Sequence, residues 1–369
     1  MKFRVFLISL LIIILPVVAL AGVERRKDKP ERARVQRVEQ TMAVDPLVTV
    51  SLCIVSGSIS VHGWNKNEVL ARSSDVKQIR LTRPDGSGGP PATRLTVLMG
   101  DPKDEGSPDD CQAFGDVEMM VPNGALVHVQ TGDGSINISE VASVYAKSQT
   151  GDIEVTQASK SVEAVSFSGD VWVRDSTGRM VLKSVGGSLT ATGARPADSS
   201  DFIQATTVSG DIELDQTTHA FVTARSVNGE VHYAGPLSKG GQYAFNTTKG
   251  DITLSLPAET SFRLNARVSQ DADVTSDFPV TLKIEPSKTM VAPRISSEPE
   301  YPPKQVPAPP QPPQPSVAGV ETKKVSKVKP VTIKAYTSRR VTAVHGSGNA
   351  IINVVSFAGS LRLIKESQE

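Results

Sequence analysis

Five histidines (His62, His128, His219, His232, His345) and two cysteines (Cys53, Cys111) hold most of the metal or nucleophile chemistry available to this chain. No two histidines share a ligand spacing such as i, i+4, and none falls into a nucleophile–base pattern. A second set is more regular: Asp152, Asp170, Asp211, Glu230 and Asp251 each directly follow a glycine. Such acids can line a calcium ladder, or each can cap its own turn by accepting nearby amide bonds. The calcium-binding pattern GGxGxD is missing and the repeat is twice too long for it, so capping is the expectation. Carbohydrate-cleaving chemistry needs paired carboxylates gathered in one cleft. Here the acids stand at turns, so no catalytic, cofactor-binding or metal-binding residue is expected. Trp172 and His232 fall on outward strand positions and form a candidate aromatic patch.

Composition narrows the partners. Forty Lys and Arg against 39 Asp and Glu leave a net charge of +1, which argues against a dedicated nucleic-acid binder. Aromatic residues are 5% of the chain, and 28 glycines with 25 prolines favour turns over long helices. The N-terminus, MKFRVFLISLLIIILPVVALAG, has basic Lys2 and Arg4, an apolar run from Phe6 to Leu20 and an Ala19-Leu20-Ala21 cleavage pattern. This reads as a signal peptide over residues 1–21, too short and too interrupted by Pro16 for a membrane span. The chain is therefore expected to be exported, to the periplasm or cell surface. In that oxidising setting Cys53 and Cys111 are a candidate disulfide, worth about 3–5 kcal/mol through loop closure; two unrelated thiols are the alternative.

The elements that position these residues are set by a repeat. A phrase recurs as SGSISV, DGSINI, TGDIEV, SGDVWV, GGSLTA, SGDIEL, NGEVHY, KGDITL and AGSLRL, anchored on Gly57, Gly134, Gly151, Gly169, Gly187, Gly210, Gly229, Gly250 and Gly359. From Gly134 to Gly250 the spacing is 17–23 residues. The positions two and four after each glycine, and five and seven before it, are apolar or aromatic in all 36 cases, in a chain only 38% hydrophobic. Alternation at a period of two puts these side chains on one strand face. Each unit is then two short strands around a glycine corner, and stacked units bury the face that one unit cannot. Nine rungs at about 4.8 Å give a rod of about 40 Å. Three residues before each glycine stands Ser or Thr, with Ile54 the exception. A hydroxyl there can satisfy backbone groups left open by the bend.

The expected fold is all-β, a β-solenoid-like array with glycine corners. Its parts are a charged leader (22–37), a β-rich N-terminal part acting as a cap (38–125), the strand repeats (126–285), a disordered proline-rich insertion (286–330) and C-terminal strands that complete the array (331–369). The insertion reads as an extended polyproline spacer, a loop thrown out of the last turns. The tail KESQE reads as a charged terminal cap, against end-to-end polymerisation, so a monomer is expected.

The pattern resembles the putative adhesin family of bacterial β-strand-repeat proteins, a domain of unknown function. The resemblance begins at VEQTMAVDPLVTVSLCIVSGSISVHGWNKNEVLARSS, runs through the SGDIEL-like repeats and SQDADVTSDFP, and closes with HGSGNAIINVVSFAGSLRL. It implies fold and an envelope location, and supplies no catalytic residues. The proline-rich insertion departs from the family pattern.

The expected function is therefore non-enzymatic: an exported, adhesin-like β surface for a glycan, cell-wall or protein partner. A periplasmic scaffold or envelope-stress protein is the alternative, and a carbohydrate-active β-helix enzyme a more distant one. Mass spectrometry of the exported chain should find it beginning near Gly22; a mature chain that still carries residues 1–21 would contradict the signal-peptide reading.

Overall fold

A computed structural model describes residues 37–84, 91–100, 111, 113–290 and 336–366. The signal peptide, nearly all of the charged leader and most of the proline-rich insertion lie outside the described residues.

Twenty-seven strands and no helix are found among the described residues. The N-terminal part comprises β1 (Val38–Ser56), β2 (Ile59–Trp64), β3 (Glu68–Ser73), β4 (Ile79–Thr82), β5 (Ala92–Met99), β6 (Ala113–Phe114) and β7 (Val117–Pro122). Strand pairs follow, one pair per repeat: β8 (Leu126–Asp133) with β9 (Ile136–Ser139), β10 (Ser143–Ser148) with β11 (Ile153–Thr156), β12 (Ser161–Ser166) with β13 (Val171–Arg174), and β14 (Arg179–Lys183) with β15 (Leu189–Thr192). The series continues with β16 (Phe202–Thr206) and β17 (Ile212–Asp215), β18 (Phe221–Asn228) and β19 (Val231–Ala234), and β20 (Gln242–Lys249) and β21 (Ile252–Pro257). The last strands are β22 (Phe262–Ser269), β23 (Val274–Ser276), β24 (Lys283–Met290), β25 (Tyr336–His345), β26 (Ala350–Ala358) and β27 (Leu361–Glu366).

Strands before the glycine corner stack into a leading sheet and those after it into a trailing sheet. Pairing is parallel and in register: Val144 lies beside Val162, then Met180, Ile203 and Val222, while Ile153 lies beside Val171, then Leu189 and Ile212. The alternating apolar residues all turn inward and are buried, whereas their polar neighbours face out. The core is small-bored: Ala146, Ala164, Ala205 and Ala224 sit next to the corner, where the two sheets converge. Toward the C-terminal end it admits Tyr233, Tyr243 and Phe245, the Tyr233 ring lying 5.7 and 5.4 Å from the other two.

The corner explains the glycines. At each of the nine anchoring glycines an added Cβ would lie 1.9–2.3 Å from the carbonyl oxygen of the glycine one rung away, a distance no carbon can occupy. Gly134 adds a second reason, with φ of +133°, a region L side chains avoid. The expected hydroxyls are there too. Thr131, Ser148, Ser166, Ser184, Thr207, Ser226 and Thr247 each donate to the corner glycine carbonyl of the neighbouring rung, at 2.8–3.3 Å. Ser356 instead donates to the carbonyl of its own corner, Gly359. Ile54, the exception, is fully buried core.

A second corner was not read from the sequence. Six residues after the glycine, Glu140, Gln157, Asp175 and Gln216 adopt φ of 47–58°, and Gly193 takes 66° at the same place. The next residue points inward and is buried: Val141, Ala158, Ser176, Ala194 and Thr217. Backbone bonds then continue from rung to rung along a short third side, as in Ser159 N–H to Val141 carbonyl and Arg195 N–H to Ser176 carbonyl, both 3.0 Å. The variation in repeat length is absorbed after this side, for example in the loop Arg195–Asp201.

Chain order and stacking order differ at both ends. β5–β7 lie outside β1 and β2, so the first unit in the sequence is not the first in the stack. At the other end β26 runs parallel between β20 and β22, and β27 between β21 and β23. β26 and β27 are thus enclosed by the array, and Lys365 and Glu366, the first two residues of KESQE, pair beside Leu256 and Pro257 and not at an end of the stack; the other three lie outside the described residues. The ends are closed instead by antiparallel strands, β4 on β5 and β24–β25 on β22. β24 carries the chain past Pro286 to Met290, and β25 returns from Tyr336, so the proline-rich stretch joins two paired strands.

Gly187→Ala should destabilise by about 3 kcal/mol or more, since its Cβ meets backbone that cannot yield. Gly240→Ala, with nothing within 4 Å and only its φ of +77° to strain, should lose about 1–2 kcal/mol. Ser184→Ala leaves the Gly169 carbonyl and the Gly187 N–H without their hydroxyl partner and should lose about 1–3 kcal/mol. Urea unfolding of the three variants checks the order.

Candidate binding face

The residues singled out for chemistry are dispersed. His62 is exposed on β2 and its Nδ1 lies 2.7 Å from the Ser139 hydroxyl. His128 faces outward on β8, edge-on to Tyr145 at 4.4 Å. His345 packs against Phe278 and Phe262 at 5.0 and 5.7 Å. His219 is fully buried. Among the described residues no group of three or more His, Cys, Asp or Glu is arranged to hold a metal ion.

The acids after the corner glycines act on the backbone. Asp152 accepts the Asp170 N–H, Asp170 the Ser188 N–H, Asp211 the Glu230 N–H and Asp251 the Ser360 N–H, at 2.7–2.9 Å. Each carboxylate caps the equivalent position of the neighbouring rung, a ladder that spans rungs where the sequence pointed to a cap within one turn. Asp116 does the same for Ser58, showing that β7 supplies a rung although its phrase escaped the repeat.

Cys111 is linked to Cys53 with 4.8 Å between Cα atoms, a reach that suits a disulfide. It ties the loop before β6 to the outward side of β1. Trp172 and His232 do point outward in one line, but Thr190 and Glu213 separate them in the register Trp172–Thr190–Glu213–His232. At about 4.8 Å per rung they stand about 14 Å apart and form no common patch. Beside Trp172, Arg174 pairs with Glu154. Trp64 is held by a 2.8 Å bond from Nε1 to the Glu68 carbonyl with the Lys66 ammonium over its ring, so the G-W-N turn is structural.

Besides a depression of about 210 Å³ beside Arg72 and Glu118, concave ground lies on the outer face of the leading sheet, which the sequence reading did not single out. Two depressions, about 310 and 420 Å³, adjoin at Asn353 and together form a trough crossing β16, β18, β20, β26, β22 and β25. Side chains form three parallel lines here because every strand presents the same three outward positions. The floor carries Gln204, Thr223, Ala244, Asn353, Asn265 and Thr342; Asn265 Nδ2 donates to Asn353 Oδ1 at 3.3 Å. One bank carries Phe202, Phe221 and Ile351, and the other carries Arg225, Arg267 and Arg340. A signal for this was present: the outward positions six, four and eight residues before the glycines could have been read as three rows.

Residues 113–292 match the family described as Toastrack DUF4097. The match takes in the strand repeats from β6 to β24. That family is a β-solenoid-like domain of unknown function, in accord with the family resemblance read from the repeat phrase. Among solved structures, a putative cell adhesion protein from Clostridium sporogenes aligns over 90% of this chain and all of its own at 8% identity and a TM-score of 0.20, a superposition too loose to inform fold or function. No curated protein matches the chain. Among the described residues no helix is long and apolar enough to cross a membrane.

The buried polar groups of the core contribute to its pH response. His219 Nε2 donates to the Gly178 carbonyl at 2.8 Å, and its Nδ1 meets no hydrogen-bond partner among the described residues. The Tyr243 hydroxyl donates to the His219 carbonyl at 3.1 Å and the Tyr233 hydroxyl to the Pro236 carbonyl at 2.9 Å. Burial raises both phenols above their ordinary value and holds His219 below the ordinary histidine value, with the hydrogen bond to Gly178 and the Asp201 charge acting the other way. Burial lowers His128 as well. A depressed histidine is protonated first in the unfolded chain, so its stabilisation is complete above pH about 6.5 and is lost as pH falls below that value. Unfolding free energy measured by urea should therefore decline from pH 7 to pH 5, and His219→Gln, which keeps a donor for Gly178, should show a visibly shallower decline.

Proposed function

We propose that this protein is exported and works by binding, as an adhesin-like envelope or cell-surface rod that offers the outer face of its leading sheet to a glycan, cell-wall or protein partner. The observation that carries the reading is the trough of two adjoining depressions, lined by amides, hydroxyls, exposed apolar side chains and arginines. Its lining suits recognition: apolar surface with a few convergent polar groups is the usual make-up of a binding site. Four of the five acids that follow the corner glycines, Asp152, Asp170, Asp211 and Asp251, are engaged as caps, their oxygens holding the amides of neighbouring rungs. Export rests on the N-terminal signal pattern and agrees with the Cys53–Cys111 link.

Trypsin added to intact cells tests the surface location. The expected result is cleavage in the basic stretch KKVSKVKP (323–330) before lysis. Protection until lysis would replace the surface adhesin with a periplasmic scaffold or envelope-stress protein.

A further inference from the structure

One outward line on the leading sheet has a charge pattern that the trough alone does not explain. Following the register from strand to strand, it reads Cys53, Gln130, Lys147, Val165, Lys183, Thr206, Arg225, Asn246, Val355, Arg267, Arg340. Five of these eleven residues are cations and none is an acid, in a chain whose net charge is +1; the line's one carboxylate is Glu285 at its end, beside Arg340 on β24. Lys147, Lys183, Arg225, Arg267 and Arg340 are all exposed. They stand two, two, three and one strands apart, so at about 4.8 Å per strand the series spans about 38 Å along the array. Repulsion along such a line is a standing cost, and a fold indifferent to it would intersperse acids, as the trailing sheet does with Glu154, Arg174, Glu213 and Arg362.

We propose that this cationic line and the adjoining trough form one binding face for an acidic polysaccharide, a chain of sugar rings bearing carboxylates, laid along the axis of the array. The inference rests on the binding reading above and names its ligand class. Three features select it. First, the ligand runs across the strands, where every backbone N–H and C=O is already engaged in the rung ladder, so only side chains are on offer; an extended peptide would seek a free strand edge. Second, the floor amides and hydroxyls of Gln204, Thr223, Asn353, Asn265 and Thr342 both donate and accept, which matches ring hydroxyls, and Phe202 and Phe221 supply apolar surface for ring faces. Third, the charge is sparse, one cation per about 5–15 Å, against one phosphate per about 1.7 Å of duplex axis in DNA. Carboxylates near the face are few: Glu285 stands opposite Arg340, Glu163 lies on the floor line beyond the trough, and Asp198 and Asp201 lie past the apolar bank, where their oxygens hold the amides of Ser200, Ala197 and Asp198.

The test titrates the mature full-length chain with polygalacturonate, with the same polymer fully methyl-esterified, and with a DNA duplex of matched charge. Binding to polygalacturonate should weaken with added salt and fall at least tenfold in the combined variant Lys183→Gln, Arg225→Gln, Arg267→Gln. Lys160→Gln, exposed on the short third side, should leave it unchanged, and circular dichroism should find both variants folded. The esterified polymer and the DNA should each bind at least tenfold more weakly than polygalacturonate. Equal binding of the esterified polymer, equal binding of DNA, or unchanged binding by the combined variant would overturn the assignment. If the wild type ignores polygalacturonate yet is retained by a neutral glycan or a cell-wall preparation, the ligand class is wrong and the binding reading stands; retention by none of them removes both.

Discussion

One close approach, repeated at every rung, organises the rest of the molecule. Corner glycines of successive rungs lie so near that the space for a Cβ is filled by a neighbour's carbonyl oxygen, from Gly115 through Gly57 and Gly134 to Gly359. That contact allows parallel strands to turn sharply while keeping the inter-rung spacing of a sheet. The carbonyls crowded by the turn are served by the Ser and Thr hydroxyls behind them, and the amides just beyond it by the Asp carboxylates. Glycine, hydroxyl and acid are three answers to one problem, the backbone groups that a bend would otherwise leave buried and unpaired.

Because those polar demands are met at the corners, the inward faces can be wholly apolar and small. Valine, isoleucine, leucine and alanine fill most rungs, and aromatic bulk enters toward the C-terminal end, at Tyr233, Tyr243 and Phe245 and again at Phe262 and Phe278. The tyrosine hydroxyls must then reach carbonyls inside the fold, which is why buried His219 and its neighbours form a local polar cluster in this part of the core. The ends obey a different constraint. A parallel stack exposes unpaired edges, and the chain covers them by reversing direction, with β4 on β5 at one end and β25 with β24 on β22 at the other.

The outer faces are released from structural duty by this arrangement. Each strand contributes two or three outward positions, and identical register stacks them into lines along the array. Function is therefore written in rows of residues far apart in sequence, such as Lys147, Lys183 and Arg225, and a weak preference at one rung is multiplied along the line. A face of this kind suits a ligand that itself repeats.

The sequence alone determined the rung. Gly187 with Ser184 behind it and Leu189 ahead of it is legible because corner, hydroxyl and inward residues recur at fixed offsets within a few positions, where local backbone geometry dictates residue type. The capping role of Asp170 was legible for the same reason, although its partner turned out to be Ser188 on the next rung. The second corner was less so, since Glu140, Gln157, Asp175 and Gln216 share a backbone conformation and no side-chain chemistry. Only the tertiary structure decided which rungs are neighbours. Nothing within Ala350–Glu366 states that it lies between β20–β21 and β22–β23, because every rung presents equivalent edges and the choice is made by long-range packing. The binding face belongs to that same level: Asn265, Asn353 and Thr342 come together by stacking order, and the Trp172–His232 pairing suggested by alternation dissolved once register placed two residues between them.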